Sequence, residues 1–229
     1  MTLVHQGHKI ARKFFTGTSS TYDTVVNIAT FRLDSVWKRA LLDLIPQGNY
    51  KVLDLACGTG ILSLALARKV GYVVGVDITE DSVRIAKGKA LAQNVDNVSF
   101  YVSAAEAIPM ANRQFDFVTA SYLPKYCDIE QVIAEICRVL KPGGMLIMHD
   151  FTYPKGAMLA LWKTYFGVLR AVGVFTPAWR SVFRELDDVI RESNWLEELV
   201  DTMTRYHFRD IQRRSLTFNT AAIVWGKLV

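Results

Sequence analysis

Residues 52–60, Val52-Leu53-Asp54-Leu55-Ala56-Cys57-Gly58-Thr59-Gly60, run an apolar stretch into two glycines one residue apart, and helix-forming residues follow. Glycines at such a turn let the backbone bend tightly and let a ligand approach it, and the helix beyond presents N–H groups without intrahelical partners. The chemistry is that of a nucleotide-type pocket; the same glycines also make a plain strand-to-helix turn. Two acids flank them: Asp54 stands four residues before Gly58, and Asp77 ends the next apolar run, 17 residues beyond Gly60. A carboxylate at that strand end accepts hydrogen bonds from both ribose hydroxyls, each such charged bond being worth roughly 1.5–3 kcal/mol. Its plainer reading is a solvated carboxylate. A dinucleotide fingerprint needs a third glycine where this chain has Ser63, so NAD and FAD lose ground.

The elements that must position these residues follow from the hydrophobic pattern. Residues 51–56, 72–77, 98–103, 115–121 and 145–151 are short β-branched or aromatic runs, and amphipathic stretches at 61–70, 80–94 and 129–140 separate them. In the last of these Ile129, Val132, Ile133, Ile136, Val139 and Leu140 keep the helical period. Strands alternating with crossover helices predict a parallel sheet. Residues 208–218 and 219–228 read as two more strands in an antiparallel hairpin turning at Asn219 and Thr220. The expectation is one α/β domain over 1–229: a seven-stranded, mostly parallel Rossmann-like sheet with an antiparallel last strand. Its parts are an N-terminal helical lid (1–48, with helices from Tyr22 to Ile28 and Ser35 to Ile45), the cofactor-binding core (49–151), a helical insertion (155–205) and the terminal hairpin (206–229).

Composition agrees with that size. The 229 residues are 51% hydrophobic and 21% charged, which suits a sizeable globular core and excludes disorder. Lys plus Arg exceed Asp plus Glu by 27 to 22, a bias compatible with anionic ligands or membrane surfaces but weak for nucleic acid, so no nucleic-acid partner is expected. Cys57, Cys127 and Cys137 form no CxxC pair, as in a reducing compartment. The start lacks a signal-peptide apolar stretch, so the expected location is cytoplasmic, with membrane association left open. His5 and His8 have a metal-compatible spacing, but no third ligand lies near, and no metal is expected.

Asp54-Leu55-Ala56-Cys57-Gly58-Thr59-Gly60 followed by Gly75-Val76-Asp77 resembles the first two motifs of class I S-adenosylmethionine-dependent methyltransferases. Arg138-Val139-Leu140-Lys141-Pro142-Gly143-Gly144 is similar to the turn before their fifth strand. Within that group the chain most resembles the ubiquinone/menaquinone biosynthesis C-methyltransferases, from about Phe15 onward. Tyr22-Asp23 with Trp37-Lys38, Ala105–Met110 with Phe115-Asp116, Asp150–Pro154 and Gly226-Lys227 carry this likeness. The resemblance implies S-adenosylmethionine as cofactor, Asp54 and the Gly58–Gly60 loop around its methionine part, and Asp77 on its ribose. The implied cofactor set is Asp54, Ala56, Gly58, Thr59, Gly60, Ser63, Asp77, Ile78, Ala104, Ala105, Glu106 and Ser121.

The implied reaction is ring C-methylation of a small hydrophobic acceptor, a demethylmenaquinol-like prenylated quinol. A carbon nucleophile of that kind needs an adjacent phenol ionised, hence a general base or a cation nearby. Tyr22, His149 and Tyr153 are the candidate catalytic residues, with Asp150 and Lys125 also in reach of the same region. Three departures limit the resemblance, the first beside the adenine, where only backbone and apolar contacts are left, and the other two where the acceptor should sit. Ala104 stands where the family has Asp or Asn, Pro124-Lys125 where it has Arg-Asn, and Asp34-Ser35 where it has His-Arg. They keep open another phenolic or natural-product acceptor, and a cofactor-binding protein without catalysis. Ser121-Tyr122-Leu123-Pro124-Lys125 lacks the double proline and aromatic of base-amine methyltransferases, which disfavours base methylation.

Residues 155–183 are rich in apolar and aromatic side chains. On a helix, Lys155, Lys163 and Arg170 cluster and leave Leu159, Trp162, Phe166, Leu169 and Val172 facing something apolar. That is a membrane surface in peripheral contact, the protein's own core, or a second copy in a homodimer.

Overall fold

The structure is a computed structural model and describes residues 3–229; the side chains of residues 3–6 and 8 lie outside the described residues, and the His5–His8 pair with them. Seven strands form one sheet in the order β3-β2-β1-β4-β5-β7-β6. They are β1 (Gly48–Leu55), β2 (Val70–Asp77), β3 (Val98–Val102), β4 (Phe115–Ser121), β5 (Leu140–Phe151), β6 (Phe208–Leu216) and β7 (Ala221–Leu228). The first five strands are parallel; β7 runs antiparallel to β5, with Ile147 opposite Trp225, and β6 antiparallel to β7. The expected seven-stranded arrangement with an antiparallel last strand is therefore present. The hairpin turns over four residues rather than two, because Thr217, Phe218 and Asn219 all hold positive φ.

Side-chain alternation sends each strand to two cores. Val52, Val73, Phe117, Ile147 and Ile223 face α3 (Leu33–Leu42) and α4 (Ile61–Ala67). Their neighbours Leu53, Val74, Val118, Leu146 and Val224 face α6 (Ile129–Val139) and α9 (Trp195–Arg205). Helix α5 (Glu80–Ala92) covers β2 and β3 through Val83, Ala86 and Ala90 against Phe100. Asp128 caps α6, its Oδ1 accepting from the Gln131 amide at 3.0 Å.

Above the carboxyl ends of the strands lie α1 (Leu3–Phe15), α2 (Tyr22–Ala29), α7 (Ala157–Phe175) and α8 (Arg180–Glu192). Phe14, Trp179, Val182, Phe183 and Tyr126 lock α1 to α8. The sequence reading missed α1, although Ile10 and Phe14, and Ala11 and Phe15, already keep a spacing of four. Within the insertion, α9 is a sheet-covering helix: Trp195, Leu199 and Met203 belong to the central core.

Candidate functional site

At the end of β1 the chain enters left-handed backbone three times, at Ala56 (φ 52), Gly58 (φ 53) and Gly60 (φ 83). The two glycines serve different ends. A Cβ on Gly58 meets nothing within 4 Å, so this position faces open space; a Cβ on Gly60 lies 3.0 Å from the Ala86 Cβ and 3.2 Å from the Phe100 ring. Gly60 thus lets α4 begin and α5 pack close, and it does not reach the cavity, contrary to expectation. Asp77 ties the turn to β2: its Oδ2 accepts from the Gly58 amide and its Oδ1 from the Thr79 amide, each at 2.8 Å. Burial raises the Asp77 carboxyl above its ordinary pKa, and the two amides oppose that shift.

A cleft open to solvent lies on this turn. Ala56, Gly58 and Thr59 form its floor, Asp77, Ile78 and Thr79 one wall, and Ala104, Ala105 and Glu106 the other. Phe15, Ser19 and Tyr22 cover it, and Ser121, Tyr122 and Tyr126 close the far end. A second, much smaller space shares Tyr22, Ala56, Gly58, Thr59, Ser121 and Tyr122 and reaches Lys38 and Asp54. The Ser121 hydroxyl is buried there and has no partner among the described residues.

The other expected site residues separate. Asp54, 1% exposed, accepts from Ser63 Oγ at 2.5 Å and Thr119 Oγ1 at 2.9 Å, so it braces the turn and only borders the second space. Burial pushes its carboxyl up to about 6 against the two hydroxyls and Lys38. Ser63 is a correction: it lies inside the first turn of α4, pointed back at Asp54, and lines neither cavity. Tyr153 is another. The chain turns at Pro154 into α7, and the Tyr153 ring packs 6.2 Å from Trp162, away from both cavities.

His149 also lies outside them. Alternation along β5 turns it toward α3, its ring 5.6 Å from Trp37 and 5.0 Å from Tyr122, fully buried with both ring nitrogens unpartnered among the described residues. Burial, then Lys38 and Lys125, hold it neutral, its pKa well below the usual value. Of the three candidate catalytic side chains only Tyr22 reaches the cavities, stacked on Trp179 at 6.1 Å. Burial raises its phenol far above the ordinary range, with Asp34 and Asp77 adding to the effect.

Several functional contacts escaped the sequence reading. Asp23 of α2 accepts from Thr59 Oγ1 at 2.5 Å and pairs with Lys89 of α5, clamping the lid onto the glycine turn. Tyr122 holds φ 64, a left-handed conformation that costs a bulky residue of order 1–3 kcal/mol. Its hydroxyl donates to Asp34 Oδ1 at 2.8 Å, and the same carboxylate oxygen pairs with Lys38. Its ring stacks 5.0 Å from Phe151, with the Lys38 and Lys125 ammonium groups 5.1 and 5.2 Å from its centroid. Two of the three departures from the family pattern, Asp34-Ser35 and Pro124-Lys125, thus gather around Tyr122: Lys125 is buried in an ion pair with Asp150, and Asp34 anchors the hydroxyl.

Comparison with known proteins bears on this site. Residues 3–227 match the ubiE/COQ5 methyltransferase family. The ubiquinone/menaquinone biosynthesis C-methyltransferase of Geobacter sulfurreducens is 30% identical over 98% of this chain and 90% of its own length. A demethylmenaquinone methyltransferase of Thermus thermophilus is 32% identical over 93% and 98%. In fold, the geranyl diphosphate C-methyltransferase of Streptomyces coelicolor, solved with S-adenosyl-L-homocysteine, superposes with a TM-score of 0.68 at 16% identity, over 91% of this chain and 84% of that one. The chain belongs to the ubiE/COQ5 methyltransferase family and is an S-adenosylmethionine-dependent methyltransferase.

Proposed function

We propose that the protein transfers a methyl group to a ring carbon of a prenylated, demethylmenaquinol-like quinol, at the surface of a membrane facing the cytoplasm. The observation that supports this reading is the cleft on the glycine turn, walled by Phe15, Tyr22, Tyr122 and Tyr126, beside a smaller space that shares Tyr22, Ser121 and Tyr122 and reaches Lys38 and Asp54. The cleft fits the cofactor. Gly58 leaves room where any side chain would intrude, the Ser121 hydroxyl is buried without a partner among the described residues, and Asp77 keeps lone pairs free beside its two amide contacts. Asp77 would accept from the sugar, and Ile78, Ala104 and Ala105 would flank the base, Ala104 through backbone and apolar contact. Tyr22, Ser121 and Tyr122 stand at the junction where the reacting groups meet.

When bound, S-adenosylmethionine supplies a methyl on a positively charged sulfur, so the protein's task is alignment and the exclusion of water. Tyr22, Tyr122 and Tyr126 wall the junction with rings. The proton that leaves the quinol hydroxyl has a route built from this chain's own groups. Tyr122 Oη accepts it while passing its own proton to Asp34, which Lys38 steadies. Ionisation of that hydroxyl would enrich the adjacent ring carbon, which would take the methyl as the carbon–sulfur bond breaks and S-adenosylhomocysteine leaves; loss of that carbon's own proton to solvent would restore the aromatic ring, and the proton held on Asp34 would return through Tyr122 to the oxygen.

The named relatives, at about 30% identity over most of the chain, support the quinol as acceptor. The local pocket favours a second reading, methyl transfer to another hydrophobic phenol, because Asp34 and the Lys125–Asp150 pair occupy the positions where the family pattern differs. Mass spectrometry of quinones from a strain lacking the gene separates the two. Accumulated demethylated quinone supports the first reading, and an unchanged quinone profile overturns it.

A further inference from the structure

Three buried polar atoms at the carboxyl ends of β4 and β5 have no partner among the described residues: the Ser121 hydroxyl and both ring nitrogens of His149. They belong together. Ser121 and His149 are register partners on adjacent parallel strands, which run about 4.8 Å apart. Phe117 and Ile147, an even number of positions before them, face α3, so alternation turns Ser121 and His149 to that same side. The two residues are 8 and 0% exposed. Ser121 lines both the cleft and the smaller space beside it, and His149 lines neither, so a ligand meets the hydroxyl while the imidazole stands on the neighbouring strand.

The fold does not require an imidazole at position 149. What this residue does for the backbone is done by its carbonyl, which accepts from the Tyr122 amide at 2.8 Å and so holds the left-handed turn there. The charged groups nearby are already paired, Lys38 with Asp34 and Lys125 with Asp150. Leaving a buried donor or acceptor unmet forfeits its hydration, a cost that an apolar side chain of similar volume avoids. Stability given up in this way beside a reaction site points to a task in the reaction.

We propose that Ser121 donates to the acceptor oxygen as that oxygen ionises, and that His149 is a positioning residue that holds the serine hydroxyl in this role. A neutral imidazole has one N–H donor, and a serine hydroxyl has one proton and two lone pairs. With the His149 N–H on one lone pair of Ser121 Oγ, the serine proton is free for the oxygen whose own proton leaves through Tyr122. The pair transfers no proton; it steadies negative charge where charge develops. The inference rests on the reading of the acceptor as a hydroxylated ring and adds the groups that hold its oxygen.

Steady-state kinetics on two short-tailed naphthoquinols, one carrying a ring fluorine that lowers the pKa of its hydroxyls, test it in Ser121→Ala, His149→Leu and the double variant. On the parent quinol kcat should fall roughly 10- to 100-fold in Ser121→Ala and about tenfold in His149→Leu, and the double variant should match Ser121→Ala within about twofold. The losses should shrink on the fluorinated quinol, whose oxygen ionises more readily, whereas damage to the fold would depress both activities alike. His149→Leu should keep or raise the melting temperature, and affinity for S-adenosylhomocysteine should stay within about twofold in every variant. An unchanged kcat in either single variant, losses that multiply in the double variant, equal losses on the two quinols, or a cofactor affinity that falls with kcat in Ser121→Ala would each overturn the proposal. A wild type that binds S-adenosylhomocysteine and methylates neither quinol would remove the quinol reading, and this inference with it.

Discussion

Asp54 and Asp77 are both carboxylates at the carboxyl end of a strand, yet the fold gives them different work. Asp54 is enclosed and satisfied by Ser63 and Thr119, so its charge is expensive: its pKa stands at about 6 against an ordinary 3.8. A raised folded pKa means that the stabilising contribution is complete below about 3.8 and is lost as pH rises through about 6, about 3 kcal/mol in all. In Asp54→Asn no proton is released, so urea titrations should show the stability difference between wild type and variant shrinking across that window; parallel pH profiles would contradict the assignment. Tyr122 is the residue on which the proposed proton route turns. Tyr122→Phe keeps the ring stack on Phe151 but removes the hydroxyl that reaches Asp34. Its kcat should fall roughly 10²-fold or more, the usual weight of positioned acid–base groups, with cofactor affinity within about twofold. A matching loss of cofactor binding would instead make Tyr122 part of the nucleotide site. Gly58 and Asp77 were legible in the sequence because a strand, a turn and the next strand put them together locally. The Tyr122–Asp34–Lys38 group was not: 88 positions separate Tyr122 from Asp34, and only the finished sheet brings α3 against the end of β4.

Asp23 joins α2 to both the glycine turn and α5, through Thr59 and Lys89. Removing it in Asp23→Ala should speed cofactor release about tenfold, in line with the loss of charged hydrogen bonds at a half-exposed site, and should raise amide exchange across 22–29. Unchanged release would mean that the lid is held by its aromatic packing alone. The strands and the helices α4, α5 and α6 were legible because period and alternation are strong there. Helix α7 was only partly so. Its sequence offers an apolar face through Trp162, Phe166 and Leu169 and another through Leu161, Val168 and Phe175, and periodicity does not say which one turns inward. The Trp162 indole, hydrogen-bonded to the buried Asp187, decides it: of the membrane, core and second-copy readings left open for the Trp162–Phe166 face, core is the one observed, and the Leu161–Val168–Phe175 stripe is left outside. His149 and Tyr153 follow the same logic, since neither register along β5 nor the turn at Pro154 was fixed by residue type.

At the scale of the whole molecule, the parallel core sets the cleft at the carboxyl ends of β1, β2 and β4, where strand order reverses and ligands bind in open α/β sheets. The expected seven strands and their antiparallel end came from chain pattern and family resemblance together, and the family match over 3–227 agrees with both. The departures from the family pattern, Asp34 and Lys125, lie apart from the Gly58 turn, buried around Tyr122. Everything proposed for the reaction depends on the cofactor lying along the Gly58 turn with its sugar on Asp77. Calorimetric titration of S-adenosylhomocysteine into wild type and Asp77→Ala measures that directly, with circular dichroism to show that both are folded. The account predicts a loss of roughly tenfold to 150-fold in affinity, the weight of one charged hydrogen bond. Equal affinities in two folded proteins would contradict it.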